Sequence, residues 1–134
     1  MDDAQMHRVC NLLIEFLETG TAPAGLFAPE VFCDFTPPLW RIQAQGLEDV
    51  VALRKRGHPS PGRVPRWNAQ PTPQGFVMEL EERWTDDSGE WYCREAIVAE
   101  VRGSSIARLS VYCTGDWDKS RQLAHAAQVK LIEP

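Results

Sequence analysis

Two glutamates occupy positions where a carboxyl group could carry out acid–base chemistry. Apolar and polar residues alternate along 76–84 and again along 91–101, which predicts two strands that each turn one face to a core. Glu82 and Glu95 fall on the apolar faces of these strands. Burial in such a poorly hydrated site raises the pKa of a carboxyl group and makes it a usable acid or base near neutral pH.

The turn between the two strands sets their register. If the hairpin reverses between positions 87 and 88, Glu82 faces Cys93 and becomes a diagonal neighbour of Glu95, about 7–8 Å away at the backbone. The same register places Glu81 opposite Arg94 on the outer face, where the two form a favourable cross-strand ion pair. This agreement between the two faces supports the register.

The register of the next strand depends on the length of its turn. A three-residue turn after position 103 places Cys113 opposite Glu95, and a two-residue turn would place Tyr112 there. We favour Cys113, because Leu109 and Val111 then also face the core.

Each inward carboxylate has a structural alternative. Glu82 could reach solvent where the sheet twists near the turn, and Glu95 could simply pair with an arginine. Asp34 is a third candidate for the acid–base chemistry, because it shares a strand face with Phe32 and Thr36. Its alternative is a local turn before the Pro-Pro pair at 37–38.

Aromatic residues suggest the walls of a ligand pocket. Trp40 and Trp67 could line a pocket for a flat or polycyclic ligand, or they could belong to the core. Trp84 is expected to pair with Trp91 across the hairpin, either as simple sheet packing or as part of the substrate-binding wall. His58 lies in a Pro/Gly-rich loop, either at the pocket mouth or in solvent.

The four cysteines are widely spaced and include no CxxC pair: Cys10, Cys33, Cys93 and Cys113. Structural zinc sites usually draw their ligands from close pairs, so no metal site is expected. We expect four reduced thiols, none of them a nucleophile, with Cys113 contributing to the pocket wall. Asp118 is expected to cap the last helix rather than to bind a cation.

Length and charge limit the classes of function. A chain of 134 residues fits one domain, here 1–134, and 43% hydrophobic residues suffice for a core. The net charge of −5 argues against nucleic acid as a partner, and no apolar stretch reaches the length of a membrane span. The acidic N-terminus is unlike a secretion signal, so we expect a cytoplasmic protein.

The order of elements predicts an α+β fold. Apolar residues at helical spacing predict a helix that contains Met6–Leu17 and ends at Gly20, followed by a loop over 21–30. A strand over 31–36 and a helix over 47–56 come next, and the 54–56 Arg-Lys-Arg run is expected to be its solvated end. Four extended runs over 64–70, 76–84, 91–101 and 106–113 then predict an antiparallel meander, before a last helix over 118–128.

The arrangement resembles the nuclear-transport-factor-2-like superfamily, in particular its SnoaL-like branch of small pocket enzymes. The resemblance spans about residues 5–118 and is carried by the N-terminal helix, the VFCDFTP strand at 31–37, the GLEDV helix start at 46–50 and the GSSIARLSVY hairpin end at 103–112. It implies a cone-shaped, curved antiparallel sheet capped by the N-terminal helices, one deep apolar pocket and a homodimer.

The resemblance also bears on individual positions. In related proteins, the position matching Asp34 often carries a polar pocket group, and in limonene epoxide hydrolases it helps to hold the attacking water. Val111 lies on the strand where those hydrolases place a central aspartate, and Ile97 lies about where ketosteroid isomerases keep a protonated one. Neither chemistry transfers intact, and the histidines typical of scytalone dehydratases are missing as well.

The function we favour is a cofactor-free pocket enzyme for a small apolar molecule, possessing Glu82, Glu95 and Asp34 as its acid–base groups. Cyclisation, isomerisation, dehydration and epoxide opening all fit, on a substrate that could be polycyclic or polyketide-like. The first alternative is a non-catalytic small-molecule-binding protein of the same fold. The second is a protein–protein module. Such a module would need a large exposed apolar patch, whereas the outer strand faces predicted here are mixed and charged.

Overall fold

Three helices and six strands make up the computed structural model, which describes all 134 residues. In chain order, the elements are α1 (Asp3–Thr19), β1 (Phe27–Thr36), β2 (Ile42–Gln45), α2 (Leu47–Gly57), β3 (Gly62–Pro71), β4 (Gly75–Asp86), β5 (Gly89–Arg102), β6 (Ser105–Cys113) and α3 (Lys119–Gln128). The strands lie in the order β2-β1-β6-β5-β4-β3 in one curved sheet that does not close into a barrel. The α+β prediction is confirmed.

Helix α1 has the ends that its sequence predicts. The Asp2 side chain accepts a hydrogen bond from the backbone N–H of Gln5, and Gly20 ends the helix in the left-handed conformation at φ 75°. The inward stripe consists of the residues that the helical spacing selects: Met6, Val9, Cys10, Leu13, Phe16 and Leu17. Because this stripe packs into the core formed with the inner face of the sheet, α1 covers one side of that face.

The central hairpin has the predicted register. Glu82 pairs with Cys93, Glu81 pairs with Arg94 on the opposite face, and Cys113 lies directly opposite Glu95 on β6. Strand alternation leaves Glu82 and Glu95 as the two buried charged residues, at 3% and 7% exposure, among otherwise apolar neighbours. The inner face of the sheet therefore carries both carboxyl groups into the core.

The first part of the sheet differs from the prediction in three ways. Strand β1 begins at Phe27 rather than at residue 31, because a register shift in its pairing with β6 accommodates Pro29. A short strand, β2, follows the turn at Pro37–Trp40 and pairs with β1. The sheet is also mixed rather than fully antiparallel, since β1 runs parallel to β6.

No helix of this chain has the length and apolar character needed to cross a membrane.

Gly75 lies where β4 approaches the backbone of β5 too closely for a larger side chain. A Cβ atom at Gly75 would overlap the Ala99 carbonyl oxygen and lie 3.2 Å from the Val101 nitrogen, whereas one at Gly57 would meet no atom within 4 Å. We expect Gly75→Ala to destabilise the protein by about 1–3 kcal/mol, the usual range for overpacking. Urea unfolding of this variant beside Gly57→Ala measures the effect, and equal midpoints for the two variants would contradict it.

Candidate active site

A cavity lies between the two N-terminal helices and the inner faces of β1, β5 and β6. It comprises about 570 Å³ of space unoccupied by atoms, counted with its open mouth. Its apolar wall consists of Leu13, Phe16, Leu17, Cys33, Phe35, Val50, Leu53, Ile97, Leu109 and Val111. Three polar side chains share this wall: Arg54, His58 and Glu95. An apolar cleft with a few convergent polar groups is the usual form of a small-molecule site.

Arg54 binds Glu82 with two hydrogen bonds beside this cavity. Its Nη1 donates to Glu82 Oε2 at 3.0 Å and its Nη2 donates to Glu82 Oε1, while Nη2 also donates to the Leu17 carbonyl oxygen at 2.6 Å. Both side chains are buried, with 11% and 4% exposure. Burial alone would raise the pKa of Glu82, but hydrogen bonds from Glu95 and Arg54 outweigh it and lower that pKa to about 2. Glu82 is therefore a carboxylate.

Glu95 is in the opposite protonation state. Burial, followed by the negative charge of Glu82, raises the pKa of Glu95 well above its ordinary value, and the Arg54 charge offsets this only in part. Its Oε1 atom is buried and has no hydrogen-bond partner in the protein. Glu95 is therefore a neutral acid in the cavity wall, with one oxygen left for a bound molecule.

His58 lies at the same end of the cavity. Its ring centroid is 4.2 Å from that of Trp84, and its Nε2 is 3.9 Å from Asp116 Oδ1. Burial and then the positive charge of Arg54 lower the pKa of His58 to about 4, so the ring is neutral at pH 7. Burial and the Glu82 charge raise the pKa of Asp116. His58 thus lies in the cavity wall, which is one of the two positions that the sequence left open for it.

Asp34 does not reach the cavity. Strand alternation turns Cys33 and Phe35 inward, so Asp34 lies on the other face of β1 with Phe32. There it accepts hydrogen bonds from Arg41 at 2.6 and 2.9 Å, which lower the pKa of Asp34. The face was predicted correctly as the one shared with Phe32, but that face is the outer one.

The tryptophans are less involved than expected. Trp40 is 68% exposed on the β1–β2 turn, and Trp67 is a half-buried residue beside the core, so neither lines the cavity. Trp84 is buried and stacks on Trp91 with ring centroids 6.3 Å apart, as predicted, and it reaches the site only through His58. The aromatic part of the cavity wall is instead supplied by phenylalanines.

The pKa of Cys113 is shifted in the opposite direction to those of the other three cysteines. All four cysteines are free thiols, and burial raises the pKa of Cys10 to about 11. The pKa of Cys113 is lowered, because the Cys93 thiol and the Gly115 backbone N–H both donate hydrogen bonds to its sulfur, the latter at 3.3 Å. Cys113 is half-buried behind Glu95 rather than in the cavity wall itself.

Arg54 is the site residue that the sequence interpretation missed. We expected it at a solvated helix end, whereas only Lys55 and Arg56 of that run are exposed. A signal was present, because Arg54 lies four residues after the inward Val50 and therefore on the same helix face. A buried glutamate also requires a cationic partner, and this face of α2 supplies one.

No protein-family model matches the chain, and no curated protein sequence matches it. Solved structures do match. An NTF2-like protein from Anabaena variabilis ATCC 29413 superposes with a TM-score of 0.70 and 14% identity, over 84% of this chain and 89% of that one. A protein of ketosteroid isomerase-like fold from Catenulispora acidiphila DSM 44928, in complex with trimethylamine, gives 0.65 and 14%, over 89% and 92%.

A protein from Bacillus subtilis, for which isomerase activity has been suggested, gives a TM-score of 0.67 and 11% identity, over 85% of this chain and 90% of that one. These matches span most of both chains in each pair. The chain therefore has the nuclear-transport-factor-2-like fold, as the resemblance implied. Placement in the SnoaL-like branch stays a prediction.

The buried ion pair can be tested by removing the arginine. Arg54→Met leaves the Glu82 charge buried without its partner, and we expect a loss of about 3–5 kcal/mol in the free energy of unfolding at pH 7. Arg56→Met, at an exposed position on the same helix, should change it by no more than about 0.5 kcal/mol. Urea unfolding of both variants measures this, and similar midpoints would contradict the pair.

Glu95→Gln should make the protein more stable at neutral pH. The unfolded chain ionises Glu95 above its ordinary pKa of 4.5, while the folded protein keeps the proton. Wild-type stability is therefore lost as the pH rises above that value, by about 1.4 kcal/mol per pH unit until the folded pKa is reached. The glutamine variant escapes this loss, so its thermal midpoint should exceed that of the wild type at pH 7 and match it at pH 4.

Carbon-detected NMR titration of reduced, chelator-treated protein measures the pKa values of Glu82 and Glu95 directly. Ordinary pKa values of 4.5 for both Glu82 and Glu95 would contradict the site as described.

Proposed function

We propose that this protein is a cofactor-free enzyme that moves a proton within a small apolar substrate, with Glu95 as its acid–base group. One observation carries the proposal: Glu95 lies in the wall of an apolar cavity with its Oε1 buried and unpartnered. A buried polar atom without a partner costs free energy, and a ligand group that pairs with it recovers that cost.

Glu82 and Arg54 support Glu95 rather than contact the substrate. Both oxygens of Glu82 accept hydrogen bonds from Arg54, and Glu82 is not part of the cavity wall. Its negative charge disfavours ionisation of Glu95, which keeps a proton on Glu95 at neutral pH. We therefore assign Glu95 as the residue that contacts the substrate, Glu82 as its proton relay and Arg54 as a positioning residue.

The arrangement allows one proton to leave the substrate and return to another atom. One Glu95 oxygen accepts a proton from the substrate while the proton on the other passes to Glu82, with which Glu95 shares a hydrogen bond. The reverse transfers then deliver a proton from the first oxygen to a different substrate atom. Protons balance over the cycle, so isomerisation requires no co-reactant. Cyclisation, dehydration or epoxide opening would use the same first proton transfer.

The cavity wall limits the substrate class. Ten of its fourteen residues are apolar, and neutral His58 and Glu95 provide hydrogen bonds without adding a charge beyond that of Arg54. Since Trp40 and Trp67 lie elsewhere, the polycyclic or polyketide-like substrate loses its main support. We propose a small, largely apolar molecule with one hydrogen-bonding group, in a cytoplasmic protein whose thiols are all reduced.

Isotope exchange tests the proposal without a known substrate. A panel of small apolar compounds is incubated with the protein in D₂O, and NMR and mass spectrometry detect any compound that is isomerised or takes up deuterium. We expect Glu95→Gln to slow this reaction by about 10²–10⁴-fold, the usual contribution of a positioned acid or base. Exposed Glu79→Gln is the matched control and should leave the rate unchanged.

Two results would contradict an enzyme. Compounds that are retained by the purified protein but are neither isomerised nor deuterated would favour the alternative of a non-catalytic binding protein. Exchange that Glu95→Gln leaves intact would remove Glu95 from the chemistry.

The homodimer stays a prediction, and we propose the outer face of the sheet as its interface. Val77 and Val98 pair across β4 and β5 on this face, and Val98 and Tyr112 are 42% and 54% exposed. Tyr92, on the same face of β5, is instead in contact with Trp117 and Arg83. Light scattering at tens of micromolar should give twice the 15.1 kDa chain mass, and Val98→Glu should shift it to the monomer.

A further inference from the structure

We propose that Cys93, Glu95 and Cys113 form a binding site for a thiophilic divalent cation such as zinc. The two sulfur atoms and a carboxylate oxygen of Glu95 all lie within 4.8 Å of one another. A cation with bonds of about 2.3 Å to sulfur and about 2.0–2.2 Å to oxygen joins donors at such separations. The three residues thus supply the protein ligands of one small site behind the cavity.

Strand pairing explains why these residues meet. Cys93 and Glu95 are two positions apart on β5 and therefore point to the same inner face of the sheet. Cys113 lies directly opposite Glu95 on β6, and hence diagonally from Cys93. All three belong to well-paired strands, so the donor positions are held by the sheet rather than by a loop.

The same register disfavours a disulfide between the two cysteines. Diagonal neighbours in an antiparallel pair are about 7–8 Å apart at the backbone, whereas a disulfide usually joins Cα atoms about 4.4–6.8 Å apart. A bridging cation needs a longer sulfur–sulfur separation than a direct bond does. The geometry therefore favours a shared cation over a covalent link.

The surroundings suit a cation of this class. Two thiolates with one carboxylate select a soft or borderline ion over magnesium or calcium. The Gly115 N–H donates to the Cys113 sulfur at 3.3 Å, an outer-shell contact of the kind that orients metal ligands. Cys93 also lies within 4.8 Å of donor atoms of His58 and Asp116, and Asp116, at 40% side-chain exposure, opens this end of the cluster to solvent.

Occupation of this site would change the state of Glu95. Binding displaces to solvent the protons that the two thiols and Glu95 still hold, because each binds the cation in its ionised form. Glu95 cannot then carry a proton for a substrate, so the metal-bound state and the proposed catalytic state exclude each other. The metal site does not depend on the proposed function, and its test requires no substrate.

Cobalt titration tests the site in the reduced, chelator-treated full chain. Co²⁺ added alone should bind at one equivalent and produce thiolate-to-cobalt charge-transfer absorption with the visible bands of a four-coordinate ion. Added Zn²⁺ should displace it and remove both signals. Absence of thiolate-to-cobalt absorption at saturating Co²⁺ would overturn the proposal.

Variants identify the ligands. Cys113→Ser, at a half-buried position, and Cys93→Ser should each weaken cobalt binding by more than about 100-fold, since even outer-shell partners contribute about 10–100-fold. Buried Cys10→Ala, on α1, should bind like the wild type. Undiminished binding by Cys113→Ser would overturn this ligand set in favour of His58, Cys93 and Asp116. Circular dichroism confirms that each variant is folded.

Discussion

The ion pair between Arg54 and Glu82 is the interaction on which the site depends. Arg54 comes from α2, Glu82 from β4 and the Leu17 carbonyl oxygen from the end of α1, so one guanidinium group joins both helices to the sheet. A buried charge is tolerated only when it is paired and hydrogen-bonded. Because Glu82 needs the Arg54 hydrogen bonds, the ion pair holds α2 in place over the sheet and thereby sets the shape of the cavity.

This pair also determines the chemistry of Glu95. The buried cluster holds two carboxyl groups and a single arginine, and the arginine is fully engaged by Glu82. Glu95 is left without a counter-charge and keeps its proton, at a cost to stability that increases with pH. Functional sites commonly retain a destabilising group of this kind because the reaction needs it. The protonation state of Glu95 is thus a property of the whole cluster.

Local patterns in the sequence were sufficient to predict the register of the central hairpin. Period-2 alternation and a symmetric turn placed Glu82 and Glu95 correctly, because both signals act within about twenty residues. The pairing of β1 with β6 depends on contacts between distant parts of the chain, which no local pattern encodes. Strand β2 pairs with the neighbouring β1, but its four residues are too few to show a periodic pattern. Asp34 shows the limit well: alternation identified its face, but only the pairing of β1 decided that this face points outward.

The cysteine cluster follows from the predicted strand register, although the sequence analysis expected no metal site. Ligand spacing along the chain is informative for zinc sites built from loops and knuckles, where paired cysteines are close in sequence. In a sheet, closeness is set by pairing instead, so Cys113 meets Glu95 despite a separation of eighteen positions. The register that places these two residues opposite each other also brings both sulfurs to one carboxylate. Metal-ligand searches in β-rich chains should therefore follow strand partners rather than sequence spacing.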